Sequence, residues 1–180
     1  MKFKPLPWYL SFALSLLILG CADNQLSPDA KSNVETSLSQ AGYTNVKVAQ
    51  DREKGVITLS GDVPTEQDKQ KAADVAKAAA STFVIANEIG VRPSGNESDA
   101  KKIDSSLDTA IEKNFEAKLI GKPFAKDVSY ASKNSVLTLT GNVDSQTKRS
   151  DIEAMAASVP NVKQVVNELQ VKKQKATTTN

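Results

Sequence analysis

The sequence predicts an α+β fold made of two tandem copies of one small unit, each with the order helix, strand, strand, helix, strand. The first observation behind this prediction is an internal repeat. Residues 56–91 align without a gap with residues 136–171, and nine of these 36 positions are identical. The second observation is that each copy alternates segments with helical apolar spacing and short segments rich in β-branched residues. A repeat of this kind indicates a repeated structural unit, and its mostly apolar, glycine and turn positions favour a binding or structural module over an enzyme.

The first copy has clear start and stop signals for its elements. Ser27-Pro28-Asp29 is typical of a helix start with serine as N-cap, and Gly42 is expected to end that helix. Thr65 and Asp68 form a capping pair for a second helix. The apolar face of that second helix is Ala72, Val75, Ala76 and Ala79. The strand-like segments are 46–48, 56–59 and 84–91.

The second copy repeats this order. Its first helix is predicted from the spacing of Ala100, Ile103, Leu107 and Ile111. Ser145 is expected to cap the second helix, and Pro160-Asn161 to end it. The apolar face of that helix is Ile152, Met155, Ala156 and Val159. The strand-like segments are 128–130, 136–139 and 165–171.

The first twenty residues have the pattern of an export signal. Lys2 and Lys4 precede an uncharged run over residues 6–20, which is shorter than the ~20 residues that a membrane-spanning helix needs. Ile18-Leu19-Gly20-Cys21 resembles the lipobox of bacterial lipoproteins, and Cys21 is the single cysteine of the chain. The resemblance implies that Cys21 becomes a lipidated N-terminus. It also favours the outer membrane over the inner one, because Ala22 follows where an Asp would signal retention.

Composition narrows the chemistry of the exported chain. The sequence contains no histidine, which argues against His-containing zinc sites and against Ser-His or Cys-His catalysis. Removing Lys2 and Lys4 with the signal leaves 21 basic and 21 acidic residues. A neutral chain is a poor match for nucleic acid, which selects a basic face. We therefore expect no catalytic residues, no metal and no cofactor.

The boundaries of the predicted segments follow from these signals. The expected organisation is a signal peptide at 1–20, a tether at 21–26, a first domain at 27–92, a linker at 93–98, a second domain at 99–172 and a disordered polar tail at 173–180.

The repeated motifs resemble those of the BON domain. They are a strand that ends in Leu59-Ser60-Gly61-Asp62-Val63, or Leu139-Thr140-Gly141-Asn142-Val143, and a closing strand that reads 165–171 in the second copy. The resemblance covers residues from about 27 to 172, although the first copy departs from it at 81–83. It implies two BON-like domains, each with two helices packed on one face of a three-stranded mixed sheet.

Four repeated polar or glycine positions are interpreted as structural. Gly61 and Gly141 stand at a strand end before a helix, where a positive φ or a close backbone approach is expected. Asn87 and Asn167 stand on an otherwise apolar strand, where a buried and satisfied amide would hold the register. Ligand contact is the alternative at all four positions.

The second copy has an added, lysine-rich stretch at 113–126 that the first copy lacks. Apolar side chains flanked by lysines are the ingredients of an interfacial contact with anionic lipid. The hypothesised contact residues are Lys113, Lys118, Leu119, Ile120, Lys122, Phe124 and Lys126. The alternative is an ordinary longer helix whose apolar side faces the sheet and whose lysines are solvated.

Two functions are consistent with these features. A chain that combines a lipoprotein signal with two BON-like domains resembles the envelope lipoproteins that bind phospholipid and help to maintain the outer membrane. The first hypothesis is therefore a non-enzymatic, lipid-anchored envelope protein that binds anionic phospholipid and supports envelope integrity or stress tolerance. The second is a periplasmic scaffold, tethered by its lipid, that binds other envelope proteins through an exposed sheet edge.

Overall fold

The computed structural model describes residues 26–171 and contains two units of the predicted type. The signal peptide, Cys21 with most of the tether, and the tail at 173–180 lie outside the described residues. The helices are α1 (Lys31–Gln40), α2 (Glu66–Ala79), α3 (Glu97–Leu119) and α4 (Gln146–Ala157). The strands are β1 (Lys47–Asp51), β2 (Val56–Ser60), β3 (Asp62–Val63), β4 (Val84–Asn87), β5 (Gly90–Val91), β6 (Val128–Lys133), β7 (Val136–Val143) and β8 (Gln164–Val171). We call α1–β5 the N-terminal unit and α3–β8 the C-terminal unit.

Each unit has a three-stranded mixed sheet, so the predicted fold class is confirmed. The order is β1-β2-β4 in the N-terminal unit and β6-β7-β8 in the C-terminal unit. The first two strands of each sheet are antiparallel, and the third is parallel to the central one. The parallel pairing requires the long crossover that α2 and α4 supply.

The predicted closing strand at 84–91 is divided in the N-terminal unit. It forms β4 and then β5, and β5 pairs with β3 as a small parallel extension. The backbone amides of Glu88 and Gly90 still donate to the carbonyls of Leu59 and Gly61, at 2.9 and 2.8 Å. The register therefore continues across the division, as it does without a break in β8.

The first helix begins later than the sequence predicts, because its N-terminus is capped from the sheet. Ser27 is not the N-cap, since α1 begins at Lys31 and Ala30 precedes it without a side-chain cap. The Gln50 carboxamide oxygen on β1 accepts hydrogen bonds from the amides of Ala30 and Lys31, at 3.1 Å each. Ser27 instead donates its amide to the Arg52 carbonyl at 2.8 Å.

The other helix ends follow the sequence signals, except that α4 ends at Ala157, before the predicted stop at Pro160-Asn161, so that Val159 lies outside the helix. Gly42 has φ +89° just after α1. The Thr65 and Ser145 side chains accept hydrogen bonds from the amides of Asp68 and Lys148, at 3.1 and 3.2 Å, and so cap α2 and α4. Such caps typically contribute about 1 kcal/mol each.

Each unit has its own core between its helices and one face of its sheet. The central strands contribute Ile57 and Leu59 in one unit and Leu137 and Leu139 in the other, all fully buried. The helices add Val34, Leu38, Ala72 and Ala76 on one side, and Ile111, Phe115, Ile152 and Ala156 on the other. Truncating a Leu or Ile of such a core to Ala typically costs 2–5 kcal/mol.

Helix α3 extends beyond the sheet that it covers. It has 23 residues, against 10 in α1, and it begins two residues before the predicted start of the second domain. Its C-terminal half supplies Ile111, Phe115 and Leu119 to the core. Ile103, which the helical spacing places on the core face, is 67% exposed because the sheet does not reach that far. Within residues 26–171, no helix combines the length and the apolar character needed to cross a bilayer.

The two units pack through the sheet faces that their helices leave open. Val56, Ala86, Val136 and Val166 form a small buried cluster, with at most 4% of each residue exposed. Val56 and Val136 are the same position of the repeat, as are Ala86 and Val166. The same residue positions of both copies therefore meet each other, which is the defining property of an isologous contact.

The polar contacts around this cluster are also reciprocal. Lys54 forms an ion pair with Glu168 at 2.6 Å. The equivalent positions in the other direction are Asn134 and Glu88, and the Asn134 side-chain amide donates to the Glu88 carbonyl at 2.7 Å. Glu168, by accepting this hydrogen bond and by its charge, raises the pKa of Lys54.

One contact has no counterpart. The Gln164 carboxamide donates to the Ile85 carbonyl at 2.6 Å and accepts from the Asn87 amide at 3.0 Å. It therefore occupies the hydrogen-bonding groups on the outer edge of β4, as a neighbouring strand would. The equivalent position of the first copy is Val84, which is 48% exposed.

Candidate functional site

The lysine-rich stretch of the second copy forms the C-terminal end of α3 and the loop that follows it. We call residues 118–126 the α3 tip. Helix α3 ends at Leu119, and Gly121 then takes a φ of +75°, so the chain reverses immediately. The amides of Lys122 and Ala125 donate to the carbonyls of Leu119 and Lys122, at 3.0 and 3.1 Å. Consecutive turns thus give the tip a defined backbone.

The structure divides the hypothesised contact residues into two groups. Leu119 is 4% exposed and belongs to the core of the C-terminal unit, and Phe124 is half-buried and packs on that core. The prediction of a membrane contact is wrong for Leu119, because its side chain faces the sheet at the same helical spacing as Ile111 and Phe115. Lys113, Lys118, Lys122 and Lys126 are all exposed, and Ile120 is 76% exposed.

The buried group holds the exposed group in place. Phe115 packs edge to face on Tyr130, with ring centroids 5.0 Å apart and planes at 84°, a favourable arrangement for aromatic rings. Lys113 stands two helical turns before Ile120 and therefore on the same side of α3. The tip thus presents one large exposed apolar side chain, Ile120, and three exposed lysines on a well-packed base.

The geometry at Gly61 and Gly141 is one that only glycine fits. Their φ angles are +110° and +126°. A Cβ at Gly61 would overlap the Asn45 carbonyl oxygen, and one at Gly141 would overlap the Asp127 carbonyl oxygen. Both residues allow the close approach of the segment that leads into the first strand of the unit, which is a structural role.

The two repeated asparagines are satisfied to different extents. The Asn167 side-chain nitrogen donates to Glu153 Oε2 at 2.7 Å, and its oxygen accepts from the Leu169 amide at 3.2 Å. The Asn87 side-chain nitrogen donates to the Lys69 carbonyl at 3.1 Å. Its Oδ1 is buried and has no hydrogen-bond partner among the described residues. The expectation of a satisfied amide is therefore met at Asn167 and not at Asn87.

Asp108 holds the β6–β7 turn, and sequence reasoning missed it. Its carboxylate accepts from the Ser132 hydroxyl and from the amides of Asn134 and Ser135, at 2.8, 2.8 and 2.9 Å. Asn134 and Ser135 have φ of +49° and +68°, a conformation that is costly without glycine. The first copy has Gly55 at the position of Ser135. A serine where the first copy has glycine indicates a strained turn in the second copy, but it does not identify Asp108 as the side chain that stabilises this turn.

A second missed feature is a polar cleft between the units. It encloses about 290 Å³ and is bounded by α2 and β4 on one side and by β7 and residues 163–164 on the other. Lys69 lines it and is 8% exposed, and this burial lowers the pKa of its ammonium group. Lys163, at the same cleft, pairs with Glu66 at 3.0 Å.

The described residues offer little for a resident metal. Between residues 26 and 171, no group of three or more His, Cys, Asp or Glu side chains is arranged to hold an ion. The candidate surfaces are thus the α3 tip, which carries cations and one apolar side chain, and the interdomain cleft.

Comparison with known proteins identifies the repeated unit. Residues 103–173 match the BON domain family, and residues 29–78 match the YscD/CdsD-like Bon-like domain 2 family. Osmotically-inducible protein Y of Escherichia coli (strain K12) is 30% identical over 131 residues, which are 72% of this chain and 63% of the relative. The chain therefore spans somewhat less than two thirds of that protein's length.

Solved structures give a more distant likeness. Two structures of CdsD, a structural protein of the type III secretion system of Chlamydia trachomatis, are each 13% identical to this chain. One covers 81% of this chain and 98% of its own with a TM-score of 0.33, and the other 78% and 91% with 0.34. Neither superposition is close. The family matches, together with the two α-β-β-α-β units, identify residues 103–173 as a BON domain and residues 29–78 as a Bon-like domain.

Proposed function

We propose that this BON protein is a non-enzymatic envelope protein, anchored by lipid at Cys21, whose α3 tip contacts anionic phospholipid. The observation that carries the proposal is Ile120, which is 76% exposed although Leu119 directly before it is buried in the core and Phe124, four residues later, packs on that core. Four exposed lysines accompany it, and anionic headgroups attract such groups.

The expected affinity follows from the exposed groups. Each lysine near an anionic surface contributes about 1 kcal/mol, and inserting Ile120 adds about 1.5 kcal/mol when the value for a fully transferred side chain is scaled by its exposure. For the four lysines and Ile120 together, the total of about 5.5 kcal/mol corresponds to a Kd near 0.1 mM. Contact by the tip alone is therefore weak, and it becomes effective when a lipid anchor holds the protein at the surface.

The proposed location and biological role follow from the same arrangement. We propose that an anchor at Cys21 holds both units in the periplasm, and that the outer membrane is favoured over the inner one because Ala22 stands where a retention signal would have Asp. The relative's name says that it is induced osmotically, and we extend this to a role in envelope integrity under stress. The alternative remains a tethered scaffold that binds other envelope proteins.

A specific observation weighs against recognition of partners by strand addition. Three of the four outer strands have part of their hydrogen-bonding edge occupied by side chains. Gln164 occupies β4, Arg149 donates to the carbonyls of Asn167 and Leu169 on β8, and Glu112 accepts from the Ser132 amide on β6. Edges blocked in this way resist pairing with another strand.

The test is vesicle flotation of a Cys21→Ser chain without its signal peptide. Anionic and zwitterionic vesicles are compared at low and moderate salt. We expect flotation with anionic vesicles only, and its loss when Lys118, Lys122 and Lys126 are all changed to Glu. The matched control changes three exposed lysines on other surfaces, Lys47, Lys71 and Lys101, to Glu.

The control separates local contact from net charge, since both triple variants change the charge equally. Loss of flotation in both would mean that overall charge, and not the tip, directs binding. An Ile120→Ser variant is expected to bind more weakly at all salt concentrations, because apolar insertion is not screened. Absence of flotation for the parent at millimolar accessible anionic lipid would contradict the proposal and favour the scaffold.

The anchor needs its own measurement. Mass spectrometry of the envelope-extracted protein is expected to find an acylated N-terminal cysteine in the parent. The Cys21→Ser variant is expected in the soluble periplasmic fraction. An unmodified parent N-terminus would contradict the lipid anchor without bearing on the tip.

A further inference from the structure

The cleft between the two units contains a buried lysine, Lys69, that forms no ion pair with a carboxylate of the described residues, although the charges of Glu66, Asp104 and Asp108 act on it from farther away. Lys69 projects from α2 and is 8% exposed. Within residues 26–171 its single hydrogen-bond acceptor is the Asn134 carbonyl, at 3.3 Å. The carboxylate of Glu66 is engaged by Lys163 at 3.0 Å. An ammonium group has three donors, and burying it without a carboxylate partner is unfavourable.

Asn87, which also lines this cleft, carries a second unfilled group. Asn87 Oδ1 is buried and has no partner among the described residues. The equivalent oxygen in the second copy, on Asn167, accepts from the Leu169 amide at 3.2 Å. An unsatisfied buried acceptor is uncommon in folded proteins and calls for an explanation.

The Lys69 ammonium group and the Asn87 side-chain oxygen require complementary groups on any molecule that binds in the cleft. Lys69 offers a positive charge and hydrogen-bond donors, and Asn87 offers an acceptor, whereas the charge of Lys163 at the rim is balanced by Glu66. A compact molecule that carries an oxyanion and a neighbouring hydroxyl group would satisfy both. The volume of about 290 Å³ lies at the lower end of the range for ligand pockets, which favours a headgroup-sized molecule.

We propose that the interdomain cleft binds a small hydroxylated oxyanion of the glycerol phosphate type, with its anionic group on Lys69 and its hydroxyl on Asn87 Oδ1. The same chemistry occurs in free glycerol 3-phosphate and in the headgroup of phosphatidylglycerol. No residue of the α3 tip lines this cleft, so this site is independent of the surface contact proposed above.

Binding at this position would couple to the docking of the units. Lys69 and Asn87 belong to the N-terminal unit, and Val136, Lys163 and Gln164 of the C-terminal unit form the facing wall. A ligand in the cleft contacts both, so it binds the docked arrangement in preference to a separated one. Ligand that binds the native state preferentially raises the unfolding temperature.

The experiment titrates the Cys21→Ser chain without its signal peptide with glycerol 3-phosphate, methyl phosphate and glycerol. Binding is followed by ¹H–¹⁵N NMR shifts of the Asn87 side-chain amide and of the α2 backbone, and by thermal unfolding. We expect millimolar or tighter binding of glycerol 3-phosphate. Methyl phosphate, which lacks the hydroxyl, is expected to bind about tenfold more weakly, as the loss of one hydrogen bond predicts.

Substitutions at Lys69 and Asn87 test which part of the ligand each residue contacts. Lys69→Met is expected to weaken glycerol 3-phosphate binding at least about tenfold, because it removes a charge-assisted hydrogen bond. Lys71→Met, on an exposed face of the same helix, is the matched control and is expected to bind like the parent. Asn87→Ala is expected to remove the preference for glycerol 3-phosphate over methyl phosphate, and the ligand-free unfolding of each variant checks that it is folded.

Two outcomes would overturn the proposal. One is that the parent shows no shifts with glycerol 3-phosphate at 50 mM, a concentration about fifty times the millimolar Kd that is expected for it. The other is parent-like binding by a folded Lys69→Met variant. Phosphatidylglycerol vesicles identify the source of the ligand. Stronger shifts than with the soluble compound at equal headgroup concentration assign a lipid, and shifts with the soluble compound alone assign a free metabolite; both support the site.

Discussion

Replacing Asp108 with alanine tests whether one carboxylate holds both a strained turn and the contact between the units. The side chain accepts three hydrogen bonds, from the Ser132 hydroxyl and from the amides of Asn134 and Ser135. Ser135 is 5% exposed, so its amide is left without water when the carboxylate is removed.

The expected loss of stability can be worked from these contacts. Hydrogen bonds to a charged group contribute about 1.5–3 kcal/mol each when buried. Asp108 is half-buried, so we take about 1 kcal/mol for each and expect Asp108→Ala to lower the free energy of unfolding by about 3 kcal/mol. For a chain of this size that corresponds to a fall in Tm of roughly 6–12 °C.

The turn also takes part in docking, which gives the variant a second signature. Asn134 accepts from Lys69 and donates to Glu88, and the Ser135 carbonyl accepts from the Lys163 amide at 2.9 Å. A loosened turn therefore weakens the contact between the units as well as the C-terminal unit itself. Differential scanning calorimetry should show a lower Tm and a broader or divided transition.

Two companion variants separate the causes. Asp108→Asn keeps one acceptor oxygen and is expected to lose only about 1 kcal/mol. Ser135→Gly in the Asp108→Ala background is expected to restore about 1 kcal/mol, because glycine adopts the positive φ without strain. A Tm change of less than 2 °C for Asp108→Ala, or equal losses for the Ala and Asn variants, would refute the reasoning.

Three further predictions concern Gly141, the hydrogen bonds of Gln164 to the edge of β4, and the ion pair of Lys54 with Glu168. Gly141→Ala is expected to cost about 3 kcal/mol or more in urea unfolding, because its φ is +126° and a Cβ would overlap the Asp127 carbonyl; a loss under 1 kcal/mol would mean that the backbone relaxes freely. Gln164→Ala is expected to speed hydrogen exchange of the Asn87 amide at the β4 edge while leaving the core amides of both units protected. An Asn87 amide that exchanges as slowly as in the parent would show that the Gln164 contact is unimportant. Glu168 raises the pKa of Lys54, so this pair stabilises the fold fully below the ordinary lysine pKa and ceases to do so as the pH rises through the raised value. Lys54→Met is thus expected to be less stable than the parent at pH 7, with the difference narrowing in strongly alkaline solution; a difference that does not change with pH would point to packing instead.

The sequence predicts the helices and strands of each unit well because the signals for them lie within a few residues of each other. A cap such as Thr65 with Asp68 acts over three residues, and the helical and strand periodicities are read within single elements. The repeat then transfers every assignment from one copy to the other. The first helix start was wrong for the opposite reason, since Gln50 caps it from a strand about twenty residues away.

The candidate sites depend on contacts that no local pattern contains. The spacing of Ile103 and Ile111 is equally helical, but only Ile111 lies over the sheet, and the length of the sheet is a tertiary property. Leu119 and Ile120 are neighbours of the same character, and the helix end decides which one is exposed. Asp108 and Lys69 act on partners 24 to 65 residues away in sequence, so neither has a recognisable motif.

The reciprocal contact between the two units also affects how the chain can change. In a dimer of identical subunits, a substitution alters a symmetric contact at two places at once, and an asymmetric solution is inaccessible. Here both halves lie on one chain, so equivalent positions can diverge separately. The Glu168 carboxylate pairs with Lys54, whereas the Glu88 carboxylate pairs with Lys133 at 3.3 Å and the Glu88 carbonyl accepts a hydrogen bond from Asn134, the counterpart of Lys54. Gln164 holds a strand edge, whereas Val84 at the same position remains exposed. Covalent linkage thus lets a symmetric contact keep its shared apolar centre while its two rims form different polar contacts.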